Sequence, residues 1–380
     1  MRCCRAGSTT PAPCSGSNSA RTEDCSVGRV CPPLVPGCLD GPDRLRAIAL
    51  VATLDGVVPG RKPGRRQEER SRSVNIDDFG RSDLVEVSAG VFAYVQHDGS
   101  WWINNTGFLV GSSGVISVDA CSTEARTRAY LDTIGTVTDQ PVRTLVNTHH
   151  HGDHTFGNYL FPTATIVGQE RSREALKAWG LPRSAPYWTE VEWGDVELSP
   201  PFLTFKDSIT LYADDLKCEV RHLGHPAHTD NDSVLWLPER GVLFAGDLLF
   251  NGGTPFVFQG SIAGALETLD ELEKLGAETI VPGHGSVCGP EAFGHVRRYL
   301  RFVQGVASRG VAAGVSPLEA ALDTDLGEFA ELLDAERIVG NLYRAYSEER
   351  GEPWGTPLDA TAALADMVTY SGGMPLTCHA

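Results

Sequence analysis

The segment NTHHHGDH constrains this chain more than any other, because it places four histidines and one aspartate between His149 and His154. The apolar run before it, Pro141 to Val146, indicates a buried strand, and the glycine indicates a polar turn at the end of that strand. In such a loop His149 and His151 can face one centre while Asp153 and His154 face a second. Imidazole nitrogens and carboxylate oxygens bind zinc and similar divalent ions. The loop is therefore predicted to supply half of a two-metal site.

Three distant residues of the same chemical types extend this pattern, although histidine is scarce, with 11 in 380 residues. His228 lies in GHPAHTDND, Asp247 ends the apolar run GVLFAGD, and His284 lies in IVPGHG. Each accompanies a strand-like run, and α/β scaffolds present side chains from several loops along one edge. Three histidines could then bind one ion and Asp, His, His the other, with Asp247 able to contact both. The alternative, a solvated loop rich in histidine, leaves these distant residues unexplained.

In this order THHHGDH, PAHT, AGD and PGHG resemble the motifs of the metallo-β-lactamase-fold hydrolase superfamily, over about residues 84–300. The resemblance implies an α/β fold, a four-layer αββα sandwich with two facing sheets and helices outside, followed by C-terminal helices. From the residues alone we infer only strands and helices interleaved in two similar halves. The resemblance also implies that Asp247 bridges two ions, the first held by His149, His151 and His228 and the second by Asp153, His154 and His284.

Two positions separate branches of this superfamily. Asp247 stands where the best-known β-lactamases have Cys and where glyoxalase II and lactonase relatives have Asp. Three residues later Phe250 stands where those lactamases carry a Lys that binds the drug carboxylate, so β-lactamase activity is kept as an alternative. No Lys or Arg follows Gly351, which disfavours a glutathione thioester as the substrate.

The ligand set predicts a dinuclear metal-dependent hydrolase with two zinc ions per chain, or with Fe or Mn in their place. A hydroxide bridging the ions would attack the carbonyl of a small ester, thioester, lactone or amide. Asp153 and Asp247 are the predicted catalytic carboxylates. An iron-dependent oxidoreductase on the same fold is the alternative from another class, although the diiron relatives replace the second histidine of the motif, here His151, with Glu. A silent binding module is disfavoured because all seven ligands are present.

The residues around the ligands predict parts of a pocket. Trp101 and Trp102 lie at a hairpin tip, where one of two adjacent strand residues faces away from the core, so we predict that they bind substrate. The alternative is that both pack on neighbouring structure. Asp119 ends a strand and is predicted to accept a hydrogen bond from a metal-bound imidazole. Its alternative role is a helix N-cap.

A few residues keep two interpretations. His225 is a weaker alternative ligand, and Cys288 could lie near the metals or be a buried structural thiol. Phe302, Tyr343 and Tyr346 could contact substrate from C-terminal helices or belong to the core.

Composition divides the chain. Residues 1–75 are rich in Ser, Pro, Gly and Arg, contain six of the ten cysteines, and have 12 Lys+Arg against 7 Asp+Glu. They lack periodic apolar residues and are predicted to be disordered; a metal or disulfide module is disfavoured because no CxxC pair occurs. We also expect the native start to lie downstream. Residues 76–300 are predicted to form the catalytic domain, and residues 301–380 C-terminal helices and a tail.

Charge and cysteine usage limit the partners. Residues 76–380 have 20 Lys+Arg against 42 Asp+Glu, which disfavours nucleic acid. The apolar run LRAIALVATL is too short to span a bilayer and is a poor secretory signal. The cysteines of this part, at positions 121, 218, 288 and 378, show no pairing pattern, which favours a reducing, cytoplasmic setting. A small-molecule substrate is the one predicted partner, with no nucleic acid and no membrane, and the oligomeric state is not predicted.

Overall fold

The computed structural model describes residues 82–182 and 185–380. The predicted disorder of residues 1–75 and the predicted downstream start fall outside these residues and stay predictions. Within the described part, no helix is long and apolar enough to cross a membrane.

The first sheet has seven strands that lie side by side in chain order. Strands β1 to β4 pair in antiparallel fashion and β4 to β7 in parallel. The opening meander contains four strands, and Gly90, at φ 72°, turns the chain between β1 and β2. The strands are β1 (Ser82–Ser88), β2 (Val91–Gln96), β3 (Thr106–Gly111), β4 (Gly114–Val118), β5 (Val142–Val146), β6 (Thr165–Gln169) and β7 (Leu203–Phe205).

Helices make the parallel connections of this sheet, as parallel pairing requires. Helix α1 (Glu124–Val137) joins β4 to β5, and its N-cap is Thr123. The short helix α2 (Gly152–Thr155) and a 3-10 turn, Phe156–Leu160, join β5 to β6. Helix α3 (Glu170–Trp179) follows β6.

The second sheet has five strands in the order β12-β11-β10-β9-β8. Its pairs are antiparallel except for β11 and β12, which are parallel and are joined through helix α4 (Ile262–Glu273). The strands are β8 (Ser208–Ala213), β9 (Leu216–His222), β10 (Ser233–Leu237), β11 (Val242–Asn251) and β12 (Thr279–Gly285).

Three apolar clusters establish the layer order. The cluster between the sheets joins side chains such as Val91 and Leu109 of the first sheet to Leu235 and Phe244 of the second. A second cluster packs α1 on the outer face of the first sheet, and a third packs α4 and the C-terminal helices on the outer face of the second. Each fully buried Val, Leu or Phe stabilises such layers by about 1.5–3 kcal/mol. The predicted αββα sandwich is confirmed.

The C-terminal helices are α5 (Glu291–Ala313), α6 (Pro317–Leu322), α7 (Arg337–Glu349) and α8 (Ala360–Tyr370). The boundary expected between residues 300 and 301 lies inside α5. Helix α8 was not predicted, although Asp359 caps it by accepting a hydrogen bond from the Ala362 amide.

Candidate metal centre

Strand ends and loops of both sheets bring the predicted ligands to one place. The histidine loop follows β5, His228 lies in the loop before β10, and β11 and β12 carry Asp247 and His284. Gly246, at φ 52°, interrupts the regular pairing of β11 with β12 directly before Asp247. A Cβ at Gly246 would lie 2.8 Å from the Thr148 side chain, so only glycine allows β11 to pass this close to the histidine loop.

The first donor group consists of His149, His151, His228 and Asp247. His228 Nε2 lies 2.8 Å from His151 Nδ1 and 3.3 Å from Asp247 Oδ2. His149 Nε2 lies 3.9 Å from the same carboxylate oxygen. Ligands bound about 2.1 Å from one tetrahedral ion are separated by about 3.4 Å. These spacings therefore suit four donors of a single ion.

The second donor group consists of Asp153, His154, His284 and, again, Asp247. His284 Nε2 lies 3.3 Å from Asp153 Oδ2 and 3.3 Å from Asp247 Oδ2. His154 Nε2 lies 3.0 Å from Asp247 Oδ1 and 3.8 Å from Asp153 Oδ2. Asp247 thus has oxygen atoms within reach of both groups.

Unpaired nitrogens test whether these donors fit metal ions. His149 Nε2 and His154 Nε2 are buried and have no hydrogen-bond partner among the described residues. The 3.0 Å contact of His154 with Asp247 is short, but its geometry is not that of a hydrogen bond. A buried polar atom without a partner costs about 1–3 kcal/mol. Cations in both groups would remove this cost, so the residues fit a pair of divalent ions.

Hydrogen bonds on the far side of the rings fix which nitrogen His151 and His228 turn inward. His151 Nε2 donates to Gln259 Oε1 at 2.7 Å, which leaves Nδ1 for the centre. His228 Nδ1 donates to the Phe256 carbonyl, which leaves Nε2. Such contacts orient metal-binding imidazoles and raise their basicity.

Asp119 supports the centre from beneath. Its carboxylate accepts hydrogen bonds from His154 Nδ1 at 2.8 Å, from the Thr148 amide at 2.7 Å and from the Thr148 hydroxyl at 2.8 Å. The Thr148 hydroxyl in turn accepts from His149 Nδ1 at 3.1 Å. Asp119 therefore holds His154 directly and His149 through Thr148. The alternative role as helix N-cap does not apply, because Thr123 caps α1.

The two groups differ in proton affinity. Burial lowers the pKa of His149 and of His151 well below the usual value, so both rings are neutral near pH 7. Burial also acts to lower the pKa of His154 and His284, but the Asp247 carboxylate and other acidic neighbours outweigh it. The pKa of His154 is raised well above its usual value, and that of His284 rises to about 9.

Gly283 leaves room for the shared carboxylate. A Cβ at this position would lie 1.9 Å from Asp247 Oδ1. No side chain fits there without displacing Asp247, so the backbone of β12 forms the wall behind this carboxylate.

The weaker candidates lie elsewhere. His225 Nε2 contacts the Gly264 carbonyl at 3.1 Å and the Thr268 hydroxyl at 3.0 Å, both in α4. Cys288 pairs through its backbone with Ile280. Neither belongs to a donor group.

An apolar cavity of about 150 Å³ opens above both donor groups, and Trp101 and Trp102 line it. The Trp101 ring contacts Trp188 edge to face at 5.0 Å, and its Nε1 donates to Glu336 Oε1 at 2.7 Å. Trp102 packs against Trp193 at 5.1 Å. Both rings therefore pack on neighbours and also face the cavity.

Other lining residues escaped the sequence analysis, namely Trp179, Gln259, Phe256, Arg337 and Met367. Trp188 also lines the cavity. Phe302, Tyr343 and Tyr346 are not among the lining residues. Tyr346 is buried in the core, and the Tyr343 hydroxyl donates to Asp366 at 2.6 Å, so the core interpretation of these side chains holds.

An αββα sandwich whose loops bring two His/Asp donor groups together under one cavity defines a metal-binding α/β protein. Residues 99–284 match the family model of the metallo-beta-lactamase superfamily. The chain belongs to this superfamily through these residues, which contain all seven predicted ligands.

Similar proteins carry two different names. Hydroxyacylglutathione hydrolase from Rhodospirillum rubrum is 31% identical over 150 residues, which are 39% of this chain and 47% of that protein. Metallo-beta-lactamase type 2 from Bacteroides fragilis is 25% identical over 242 residues, 60% of this chain and 88% of that protein. The solved metallo-beta-lactamase from Pontibacter korlensis is 19% identical, with 58% of this chain and 99% of that chain covered and a TM-score of 0.49. The chain spans about half the length of the hydroxyacylglutathione hydrolases it matches.

Proposed function

We propose that this chain is a dinuclear zinc hydrolase that cleaves the acyl bond (C–O, C–S or C–N) of a small ester, thioester, lactone or amide. The observation that carries the proposal is the pair of donor groups that share Asp247 beneath an apolar cavity. Neither group alone would favour hydrolysis over a structural metal site.

In this proposal His149, His151 and His228 hold one ion, and Asp153, His154 and His284 hold the other. Asp247 contacts both. Nitrogen and oxygen donors at tetrahedral spacing favour zinc, while Fe and Mn are accepted by the same donor types. Two such ions, when bound, polarise a carbonyl and lower the pKa of a water to about 7.

The side chains around the centre position the substrate and transfer protons. The Asp153 carboxylate lines the cavity, where it can accept the proton that an attacking water loses and later give it to the leaving group. Asp247 keeps the two donor groups in fixed relation. Trp101 and Trp102 bind the apolar part of the substrate and exclude water. The exclusion of water strengthens electrostatic interactions at the metal centre.

The substrate we favour is a small thioester, lactone or ester. The hydroxyacylglutathione hydrolases are similar only over part of their length, and no Lys or Arg follows Gly351 to hold glutathione. A β-lactam is the second candidate, supported by the similarity to the Bacteroides fragilis protein. Phe250 counts against it, because its ring stacks on His284 at 5.0 Å where the resembled lactamases carry a cationic Lys.

Metal analysis and a substrate screen test the proposal. The full chain is loaded with zinc and assayed with lactones, thioesters, aryl esters and a chromogenic cephalosporin. We expect two zinc ions per chain and turnover that falls strongly in Asp153→Ala while circular dichroism stays unchanged. Turnover that persists in the metal-free protein would contradict the proposal. Iron with a visible absorption band would favour the oxidoreductase alternative.

We further propose a small molecule as the only partner class, and a cytoplasmic setting. The four cysteines of the described part are free thiols, which supports a reducing compartment.

A further inference from the structure

Arg337 is a buried cation beside the candidate metal centre. It begins α7, is 1% exposed, and lines the cavity. Its guanidinium carbon lies 4.1 Å from the centre of the Trp101 ring and 5.4 Å from the centre of the Phe250 ring. Because Phe250 stacks on His284 at 5.0 Å, one aromatic ring separates this charge from the second donor group.

The hydrogen bonds of Arg337 leave donors free. Nη1 donates to the Thr254 carbonyl at 3.0 Å, and Nη2 lies 2.8 Å from Asp334 Oδ2. Nε is buried without a partner among the described residues. A guanidinium has five N–H donors in one plane. Since aromatic rings lie near this group, a ligand would reach it along the edge, where carboxylates bind with two parallel hydrogen bonds.

Arg344 on the same helix shows what a purely structural arginine looks like here. It is also 1% exposed, and its guanidinium donates to the carbonyls of Phe258 and Thr356. Each of the two arginines keeps one buried nitrogen unpaired, so that feature alone does not distinguish them. The cavity does, because Arg337 lines it and Arg344 does not.

The charges of the cavity point to the ligand. Among the described residues that line it, Arg337 is the only Arg or Lys, and most of the remaining surface is aromatic or aliphatic. The carboxylates of Asp153 and Asp247 belong to the donor groups and would be balanced by bound ions. An anionic group on an apolar body is the chemistry that complements such a surface.

We propose that Arg337 binds a carboxylate of the substrate and so selects anionic over neutral carbonyl compounds. That this ligand is a substrate rests on the proposed hydrolase function; the binding itself does not. The carboxylate meets the free edge of the guanidinium, and the apolar body lies against the Trp101 side of the cavity.

Calorimetry with two matched probes tests the proposal on the zinc-loaded full chain. The probes are 4-phenylbutyrate and its neutral counterpart 4-phenylbutyramide. We expect the anion to bind more tightly, and Arg337→Met to weaken its binding by about tenfold or more, since hydrogen bonds to charged groups are of this strength. The amide carries no charge and should be weakened by only about two- to threefold, the low end for a lost neutral hydrogen bond. Arg344→Met is the matched control and should change neither.

Two further variants keep the test decisive if Arg337→Met does not fold. Arg337→Lys keeps the charge but loses the planar fork, so it should bind the anion with intermediate affinity. Asp334→Asn removes the internal carboxylate that competes for the guanidinium, so the anion should bind several times more tightly. A carboxylate that binds only a zinc ion would be insensitive to both.

The outcomes separate this inference from the proposed function. Equal binding of both probes, or equal weakening of both by Arg337→Met, would overturn the inference and leave Arg337 as a structural residue. Selective loss of anion binding in a protein that hydrolyses none of the screened compounds would support the inference and contradict the hydrolase. In an active enzyme, Arg337→Met should raise KM for 4-nitrophenyl hydrogen succinate by a larger factor than KM for 4-nitrophenyl butyrate.

Discussion

The two donor groups share Asp247 but prepare for a cation in different ways. In the first group the pKa of His149 and of His151 is lowered by burial, so these rings are neutral donors before any ion arrives. In the second group burial is outweighed by carboxylates, and the pKa values of His154 and His284 are raised. The second group therefore carries its own protons in place of an ion.

The hydrogen-bond acceptors behind the histidine rings also differ in charge between the two groups. In the first group the His151 and His228 rings donate hydrogen bonds to neutral acceptors, the Gln259 amide and the Phe256 carbonyl. In the second group His154 donates a hydrogen bond to the Asp119 carboxylate, which stabilises a positive charge on this ring. One shared ligand, Asp247, can therefore join two unlike metal sites. The first can bind an ion without displacing protons from His149 or His151, whereas the second must release protons from His154 and His284.

Removal of the shared carboxylate should have the largest effect. Asp247→Ala takes a donor from both groups, so we expect loss of both ions and a fall in turnover of about a thousandfold or more, because metal catalysis supplies several kcal/mol. Metal content by mass spectrometry and turnover check it. His225→Gln is the control, a nearby histidine outside both groups. Two retained ions in Asp247→Ala would show that Asp247 does not join the groups.

Loss of one histidine from each group should separate them. His151→Ala should empty the first group and His154→Ala the second, each leaving about one ion per chain and lowering turnover by about a hundredfold, less than the loss of the shared ligand. Metal titration followed by calorimetry measures the remaining site. If either variant loses both ions, the groups do not bind independently.

The supporting residues should act more weakly and unequally. Gln259→Ala frees His151 Nε2 and should weaken only the first group, by about tenfold to a hundredfold. Asp119→Ala should weaken the second group by a similar factor and the first group less, because Asp119 reaches His149 only through Thr148. Competition with a chelator of known affinity resolves the two sites. Equal loss at both sites in both variants would contradict the comparison.

Proton release should show the smallest but most specific difference. At pH 7 His154 and His284 are protonated because their pKa values are raised, and a metal ion must displace these protons. The affinity of the second group should therefore rise with pH by about tenfold per unit for each displaced proton, and the contribution of His284 should level off at about pH 9. The first group should release none from His149 or His151. Calorimetry in buffers of different ionisation enthalpy counts the released protons. Equal proton release at both sites would show that the two groups do not differ in protonation.

The convergence of the seven side chains was predictable because each predicted ligand lies in a short motif at a strand end, where the chain has few ways to turn. Asp119 followed from its place at the end of β4, beside the histidine loop. The cavity was less predictable. Arg337 comes from a segment with no chemical signature, and the positions of Trp188 and Arg337 depend on how the loop before β7 and α7 pack on residues far away in sequence. Helical periodicity predicts α7 but does not indicate which of its ends lies beside the donor groups.

Gly283 carries a consequence for protein engineering. Because any Cβ there would collide with Asp247 Oδ1 at 1.9 Å, a saturation library at this codon should return glycine alone among functional clones. Gly135 on α1 has nothing within 4 Å of an added Cβ and should accept many residues. A redesign that exchanges Asp247 for a bulkier ligand has no free volume behind it and must reshape the backbone of β12 first.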